Sequence, residues 1–523
     1  MLSKFLKINK KILVNYKSKK KIALVSRERS MPTIQGSIIV SAIANKKKMD
    51  AVIITDKLYE DFYIIFKSFG FINFFIVSGF KNYFLNFKLS ILSIIKTIVA
   101  IVIICRFGFT KFINEFSVKN ILLGDLIYDS YIRYDKKFIK PSIDIKLIKI
   151  IFFSLFKVFR LDLFFKKNDI KYLFVHTDCY ANNETISTRI AFNRKIKVFK
   201  INSSGRISIT LANKHEIDEG FIPLHRFFSK EKINKIISIS DSKLKNFLKK
   251  RFIGKLKSTY TNPGDLKNAN NNQLIYTKDN LIKRIFKKKK YFDKIVLFAP
   301  HAFADAPHHF GLNFLFRDYY EQFTETIKFI KNSKKRNILW LIRPHPSSKN
   351  YGEEEIVKKF ITTKNSHIKL CDHKLIGTKN LIEICDTVIT GRGTIGLEFA
   401  SFGKKPIIAG SSTYSKFGIT IESKTKKNYF KNLEEIIKIK PMNKKQMKLA
   451  QKILYYIDSV YPKGISKNSE KYVLEGDEKS ILDLLNYSSS QSFFNSTFLK
   501  SLKNNKIDQD KVYKFFNNNA KYI

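Results

Sequence analysis

A chain of 523 residues is too long for one domain, and 44% hydrophobic residues are enough to bury large cores, so two or three domains are expected. The 97 basic and 44 acidic residues give a net charge of +53. Most of the cations are lysines spread from end to end, and no nucleic-acid motif accompanies them. That argues against a specific nucleic-acid partner and favours attraction to anions generally: phosphorylated donors, acidic glycans and an anionic inner-membrane surface. Four scattered cysteines, Cys105, Cys179, Cys371 and Cys385, lack paired spacing. They exclude a disulfide scaffold and a zinc motif, and point to a reducing compartment.

In chain order, the basic N-terminus lacks the apolar core and cleavage site of a signal peptide. Residues 21–26 and 51–55 are short, apolar and β-branched, as buried parallel strands are. Ile38–Ala44 between them is helical in character, so the chain opens with β-α-β. Phe75–Val77, Asn120–Leu123, Tyr172–Val175 and Lys197–Ile201 continue the strands. Helices fall at Ile145–Phe165 and Glu184–Phe192. The apolar run Leu89–Cys105 reads as a long buried helix, with a membrane-dipping helix as the alternative; Lys96 in its middle disfavours a span. Residues 1–255 thus form an N-terminal Rossmann-like domain.

Residues 256–292 are polar and asparagine-rich, contain Pro263-Gly264, and read as an interdomain linker. A second Rossmann-like domain, 293–440, is expected from strands at Lys294–Ala299, Ile338–Ile342, His367–Leu370, Thr387–Thr390 and Pro406–Ala409. Residues 441–523 read as a helical tail. The expected fold class is α/β, two Rossmann-like domains facing across a cleft.

The most informative segment is 385–410. A strand enters Gly391-Arg392-Gly393-Thr394, and a helix follows at once. Backbone N–H groups and the helix dipole can hold a phosphate there. Glu398, one turn on from Thr394, can accept hydrogen bonds from sugar hydroxyls. Arg343-Pro344-His345-Pro346 follows another strand of the same sheet, where α/β sheets bind ligands; Arg343 and His345 suit a phosphate. His301, Asp305, His308 and His309 cluster after the domain's first strand. That loop is read as contacting donor phosphate or acceptor in preference to a metal, since its spacing matches no zinc motif. Tyr414, Phe417, Gly418 and Thr420 offer a second wall. In the first domain Asp125, Asp129, His176, Asp178, Glu184 and Arg189 follow strands, and Arg27 and Gln35-Gly36-Ser37 lie at the first strand–helix junction. An acceptor hydroxyl needs a base; Asp125, Asp129, Asp178 and Asp305 are the catalytic candidates.

The second domain resembles the capsule polysaccharide biosynthesis family, which includes the bacterial β-Kdo transferases. The resemblance is carried by residues 303–309, Arg317-Asp318-Tyr319-Tyr320, residues 340–347 and residues 390–410, with 414–420 continuing it. It covers roughly 294–435. Gly124–Arg133 resembles the same group of surface-carbohydrate proteins. The resemblance implies a GT-B fold and sugar transfer from a CMP-, UDP- or GDP-linked donor to a glycan or glycolipid acceptor, with no metal or other cofactor required. It implies that His345 binds the nucleotide phosphate, that Gly393 and Thr394 are the helix start, and that Glu398 is the helix acid. The donor contacts expected are Arg343, His345, Arg392, Gly393, Thr394 and Glu398. The expected location is cytoplasmic, peripheral at the inner membrane face. The alternatives are a teichoic-acid-type polyol-phosphate transferase, a hydrolysing nucleotide-sugar epimerase, and a non-catalytic basic paralogue binding glycan or nucleic acid.

Overall fold

The computed structural model describes, in the main, residues 18–26, 30–57, 62–79, 83–176, 179–202, 208–212, 236–252, 277–308, 313–361, 367–371 and 376–460, with short gaps inside some of these ranges, and two short strands beyond them. Those residues fall into two compact units. The first holds the chain to Tyr131, Ser142–Lys214 and Pro462–Ile523; the second holds Ile132–Pro141 and His215–Tyr461.

The first unit runs β1 (Lys20–Val25), α1 (Ser30–Lys47), β2 (Asp50–Thr55), β3 (Asn73–Ile76), α2 (Tyr83–Glu115), a small hairpin β4–β5 (Ser117–Val118, Ile121–Leu122), α3 (Gly124–Ile132), α4 (Ile145–Lys167), β6 (Asp169–Val175), α5 (Asn183–Asn193), β7 (Lys197–Asn202) and β8 (Ser208–Leu211). Its sheet has the order β3-β2-β1-β6-β7-β8, parallel except for β8, which closes the edge antiparallel to β7. Val25, Ile53, Ile54, Leu173 and Phe174 are fully buried. Helices on both faces of a parallel sheet require such continuous apolar strands. Helix starts are set by side chains: Asp144 accepts from Leu147 N–H at 2.8 Å and Asn182 from Thr185 N–H at 2.9 Å.

Two expectations change here. The strand read at Asn120–Leu123 pairs only within the β4–β5 hairpin and stands outside the sheet. The apolar run 89–105 is indeed helical, inside α2, but it is not buried: of the most apolar 18-residue stretch of this helix only 28% is covered.

The second unit begins with α6 (Asp241–Phe252) and α7 (Lys278–Phe286). Then come β9 (Lys294–Ala299), α8 (Tyr319–Asn332), β10 (Ile338–Ile342), a 3-10 turn (Pro346–Tyr351), α9 (Glu354–Phe360), β11 (Ile368–Leu370), α10 (Thr378–Ile384), β12 (Thr387–Thr390), α11 (Thr394–Ser401), β13 (Ile407–Ile408), β14 (Ile421–Glu422), α12 (Lys426–Glu434) and α13 (Lys444–Tyr455). The sheet is all-parallel in the order β11-β10-β9-β12-β13-β14. Counting each sheet's own strands in chain order, both sheets therefore have the 3-2-1-4-5-6 order of a Rossmann unit. Within 441–523, α13 is helical behind a capping box of Asn443 and Gln446. Leu474–Glu475 and Lys506–Ile507, which fall in the first unit, pair as short antiparallel strands (β15, β16), so the tail is not wholly helical.

Candidate functional site in the second unit

In an all-parallel sheet every loop after a strand leaves at one edge. In the 3-2-1-4-5-6 order the chain reverses its direction of winding between the first and fourth strands, and the crevice opens there. In this unit those strands are β9 and β12. The loop after β9 carries His301 and Asp305, and the loop after β12 is Gly391–Thr394. Arg343-Pro344-His345 follows the neighbouring β10, and Gly410–Ser412 follows β13.

His301 is stacked between two rings, Tyr319 at 4.4 Å and His345 at 4.7 Å between centroids. Its Nδ1 lies 3.8 Å from an oxygen of Asp305. Burial pushes its pKa below the usual histidine value; the Arg392 charge adds to this, while Asp305 and the Ala302 backbone oppose it. His301 is therefore a neutral ring at pH 7.

His345 caps the 3-10 turn, and its Nδ1 accepts from Ser347 N–H at 3.2 Å. An accepting Nδ1 leaves the ring proton of the neutral form on Nε2. His345 thus presents a fixed N–H donor, as a phosphate contact requires.

Beside it, α11 starts at Thr394 with Gly393 as N-cap and no side-chain cap on its first N–H groups. Those groups, with the helix dipole, form an anion seat. Tyr414 holds the turn from behind: its O–H donates to Gly393 C=O at 2.5 Å. Burial pushes the Tyr414 phenol well above its usual value, so it stays a donor. A Cβ on Gly396 would collide with the same Tyr414 oxygen, and one on Gly410 would come within 2.6 Å of Arg392 Nε. Glycine is needed at both positions for close approach.

The loop after β9 is braced by a residue that sequence reasoning missed. Glu353 is fully buried and accepts from the N–H groups of Phe303 at 2.9 Å and Ala304 at 2.7 Å. Burial raises its pKa, against those two donors and the Ser348 hydroxyl. Glu353, Glu354 and Glu355 are consecutive, and nothing local marks the first of them. Asn313 was also missed. It donates to Ser411 Oγ at 2.8 Å and accepts from Arg392 Nη2 at 3.2 Å, so it ties the segment before α8 to the loop after β13.

Several predicted site residues take other places. Arg392 donates from Nη1 to Pro307 C=O at 3.2 Å and lies over the Phe314 ring at 5.2 Å, so it braces the loop from within. Arg343 is buried behind the turn, and its N–H continues the β10–β9 ladder to Phe298 C=O. Glu398 is buried and paired with Arg251 of α6, which also pairs with Asp458 at 2.7 Å. Burial opposes the Arg251 charge, but the two carboxylates more than offset it. Glu398 therefore anchors α11 to its neighbouring helices; the expected role on a sugar hydroxyl is corrected to that anchor.

Asp125 and Asp129 are each 1% exposed. Asp125 makes a bidentate pair with Arg189 at 2.8 and 2.6 Å, which pins α5 to α3. Both oxygens are used, so the catalytic expectation for Asp125 is corrected to a structural one, and Asp129 is equally shut off from an acceptor. Glu184, another candidate, accepts from His176 N–H at 2.7 Å. Asp178, Arg27 and His309 lie outside the described residues. Of the four acids named as catalytic, Asp305 is the one among the described residues that stands part-exposed, at the switch point. Phe417 packs against the apolar core and Thr420 donates to Glu422 at 2.9 Å, so neither forms the expected second wall. Among the described residues no cluster of three metal-type ligands gathers at 301–308.

No family model matches the chain, and no curated protein matches it. Among solved structures it is similar to a KpsC β-Kdo 2,4-transferase of Thermosulfurimonas dismutans at 11% identity, over 54% of this chain and 79% of that one, with a TM-score of 0.31. A β-Kdo 2,7-transferase KpsC of the same organism is 16% identical over 56% and 79% of the chains, with a TM-score of 0.29. The UDP-GlcNAc 2-epimerase of Methanocaldococcus jannaschii is 12% identical over 84% and 99%, with a TM-score of 0.26. The fold class rests on the chain's own two sheets: an α/β protein with a Rossmann-type unit in each half.

Proposed function

We propose that the protein is a glycosyltransferase that moves a sugar from a nucleotide donor to a bacterial surface glycan, and that the second unit binds the donor. One observation carries the reading: His345, whose Nδ1 accepts from Ser347 N–H and so leaves Nε2 as its donor, and an uncapped helix N-terminus stand on neighbouring loops at the sheet's switch point. Sugar transfer breaks the bond between the anomeric carbon and a phosphate oxygen. Negative charge grows on that phosphate as the bond breaks, and preorganised N–H donors stabilise it. His345 Nε2–H and the first N–H groups of α11 supply such donors. Asp305 is the carboxylate we assign to take the proton of the acceptor hydroxyl as the new bond forms. His301, neutral and stacked, keeps His345 in place. The chemistry needs no metal in this scheme, and donor turnover should continue in EDTA.

The test is a thermal-shift series with CMP, CDP, UDP and GDP. One of them should raise the melting temperature; at a hundredfold excess over Kd, linkage predicts a stabilisation of about 2.7 kcal/mol. His345→Ala should abolish that shift while keeping most of the ligand-free stability. No shift with any of the four, or an unchanged shift in the variant, would overturn the assignment.

A further inference from the structure

Helix α2 is built inside out. Its covered side presents Asn86, Ser93, Thr97 and Ala100, small or polar, along with Leu89 and Ile104. Ser93 and Thr97 satisfy their hydroxyls on carbonyls one turn back, at 2.7 Å each. The opposite side exposes Phe84, Phe87, Ile91, Ile94, Ile98 and Val102, with Phe84 83% and Ile98 56% accessible. Steps of three and four make these one stripe, about 27 Å long at 1.5 Å per residue. An apolar face of that extent on a soluble protein marks an interaction site.

Charge identifies the partner. Lys88, Lys96 and Arg106 are exposed on this helix before its break at Gly108, Lys111 is exposed after it, and residues 83–114 contain no acid. The helix beneath, α4, exposes Ile145, Ile148 and Phe153, with Lys146 and Lys149 also exposed. A second copy of the chain docked across a twofold axis would set cations against cations, on a molecule carrying +53. An anionic bilayer matches both the apolar stripe and the cations beside it. The covered side of α2 packs along α4, and Lys96, exposed midway along the helix on another side from the stripe, would be carried into the apolar core by a spanning helix, so the helix lies in the plane of the interface and does not cross it.

We propose that α2 is a membrane-docking helix whose apolar stripe enters the headgroup region of an anionic phospholipid bilayer. The proposal is independent of the sugar-transfer reading. It is tested by flotation of the full chain with vesicles of phosphatidylcholine alone or mixed equally with phosphatidylglycerol. The protein should float with the mixed vesicles and stay behind with the neutral ones. Ile94→Asp combined with Ile98→Asp should weaken partition at least about tenfold, because buried apolar area sets such binding, at an unchanged melting temperature. Lys96→Glu with Arg106→Glu should also weaken it and reduce its salt dependence. Absence of flotation, or equal flotation of the apolar variant, would overturn the proposal. So would resistance to alkaline carbonate extraction, which would make α2 a span. A dimer by light scattering that the apolar variant converts to monomer, with vesicle binding unchanged, would assign the face to a second copy instead.

Discussion

Gly396 lacks a side chain because the Tyr414 oxygen occupies the space one would fill, and that oxygen holds the carbonyl of Gly393. Gly396→Ala should therefore destabilise the second unit by about 1–3 kcal/mol through overpacking, measured by denaturant unfolding. An alanine variant as stable as the parent would show that α11 and Tyr414 are free to separate. His301 makes a second prediction. Its folded-state pKa is depressed, chiefly by burial, so between that value and the ordinary one of about 6.5 the unfolded chain binds the proton that the folded chain refuses. Stability should be full above about pH 6.5 and fall as the pH drops below it. His367, depressed by burial and Arg336, acts in the same direction. His301→Phe, which keeps the ring stack, should flatten part of that slope in melts recorded across the range. An unchanged slope would place the titration elsewhere.

At the scale of elements, α11 is held by an ionic centre as well as by apolar packing. Arg251 of α6 sits between Glu398 of α11 and Asp458, just past the end of α13, with all three side chains buried. Arg251→Met would leave two buried carboxylates without their cation, and a broken buried pair costs about 3–5 kcal/mol. The expected result is a large fall in unfolding midpoint, with Glu398→Gln/Asp458→Asn added to Arg251→Met recovering part of it. No recovery would mean that packing by the arginine stem, and not charge, is what matters. The sequence shows α11 clearly, through its glycine turn and the two strands around it. It does not show the centre, because Arg251 and Glu398 are 147 positions apart. Helix α2 is a similar case. Its apolar run announces a helix, but which side meets the protein depends on small residues, Ser93 and Ala100, fitting against α4.

Across the whole molecule, the same strand order appears twice, and the expected donor loops all belong to the second unit. Hydrogen exchange with the stabilising nucleotide bound should therefore slow amides at 301–305, 345–348 and 391–396, and leave those of β1 to β3 unchanged. Protection confined to the first unit would move the donor site there. The alternation of short apolar strands with helices was enough to read an α/β chain with a sheet in each half, because strands buried on both faces tolerate little else. The motif loops were legible for a related reason: in a parallel sheet, loops that follow strands must share one edge. Sequence alone thus determined the class of fold and the set of loops that meet. Only the tertiary structure decided which acids are occupied. Asp125 is used by Arg189, Glu398 by Arg251 and Glu353 by two backbone N–H groups, while Asp305, which accepts from the adjacent Ala306 N–H at 3.0 Å, is part-exposed. The physical reason is that a carboxylate's role is set by the donors around it, and those come from residues far away in the chain.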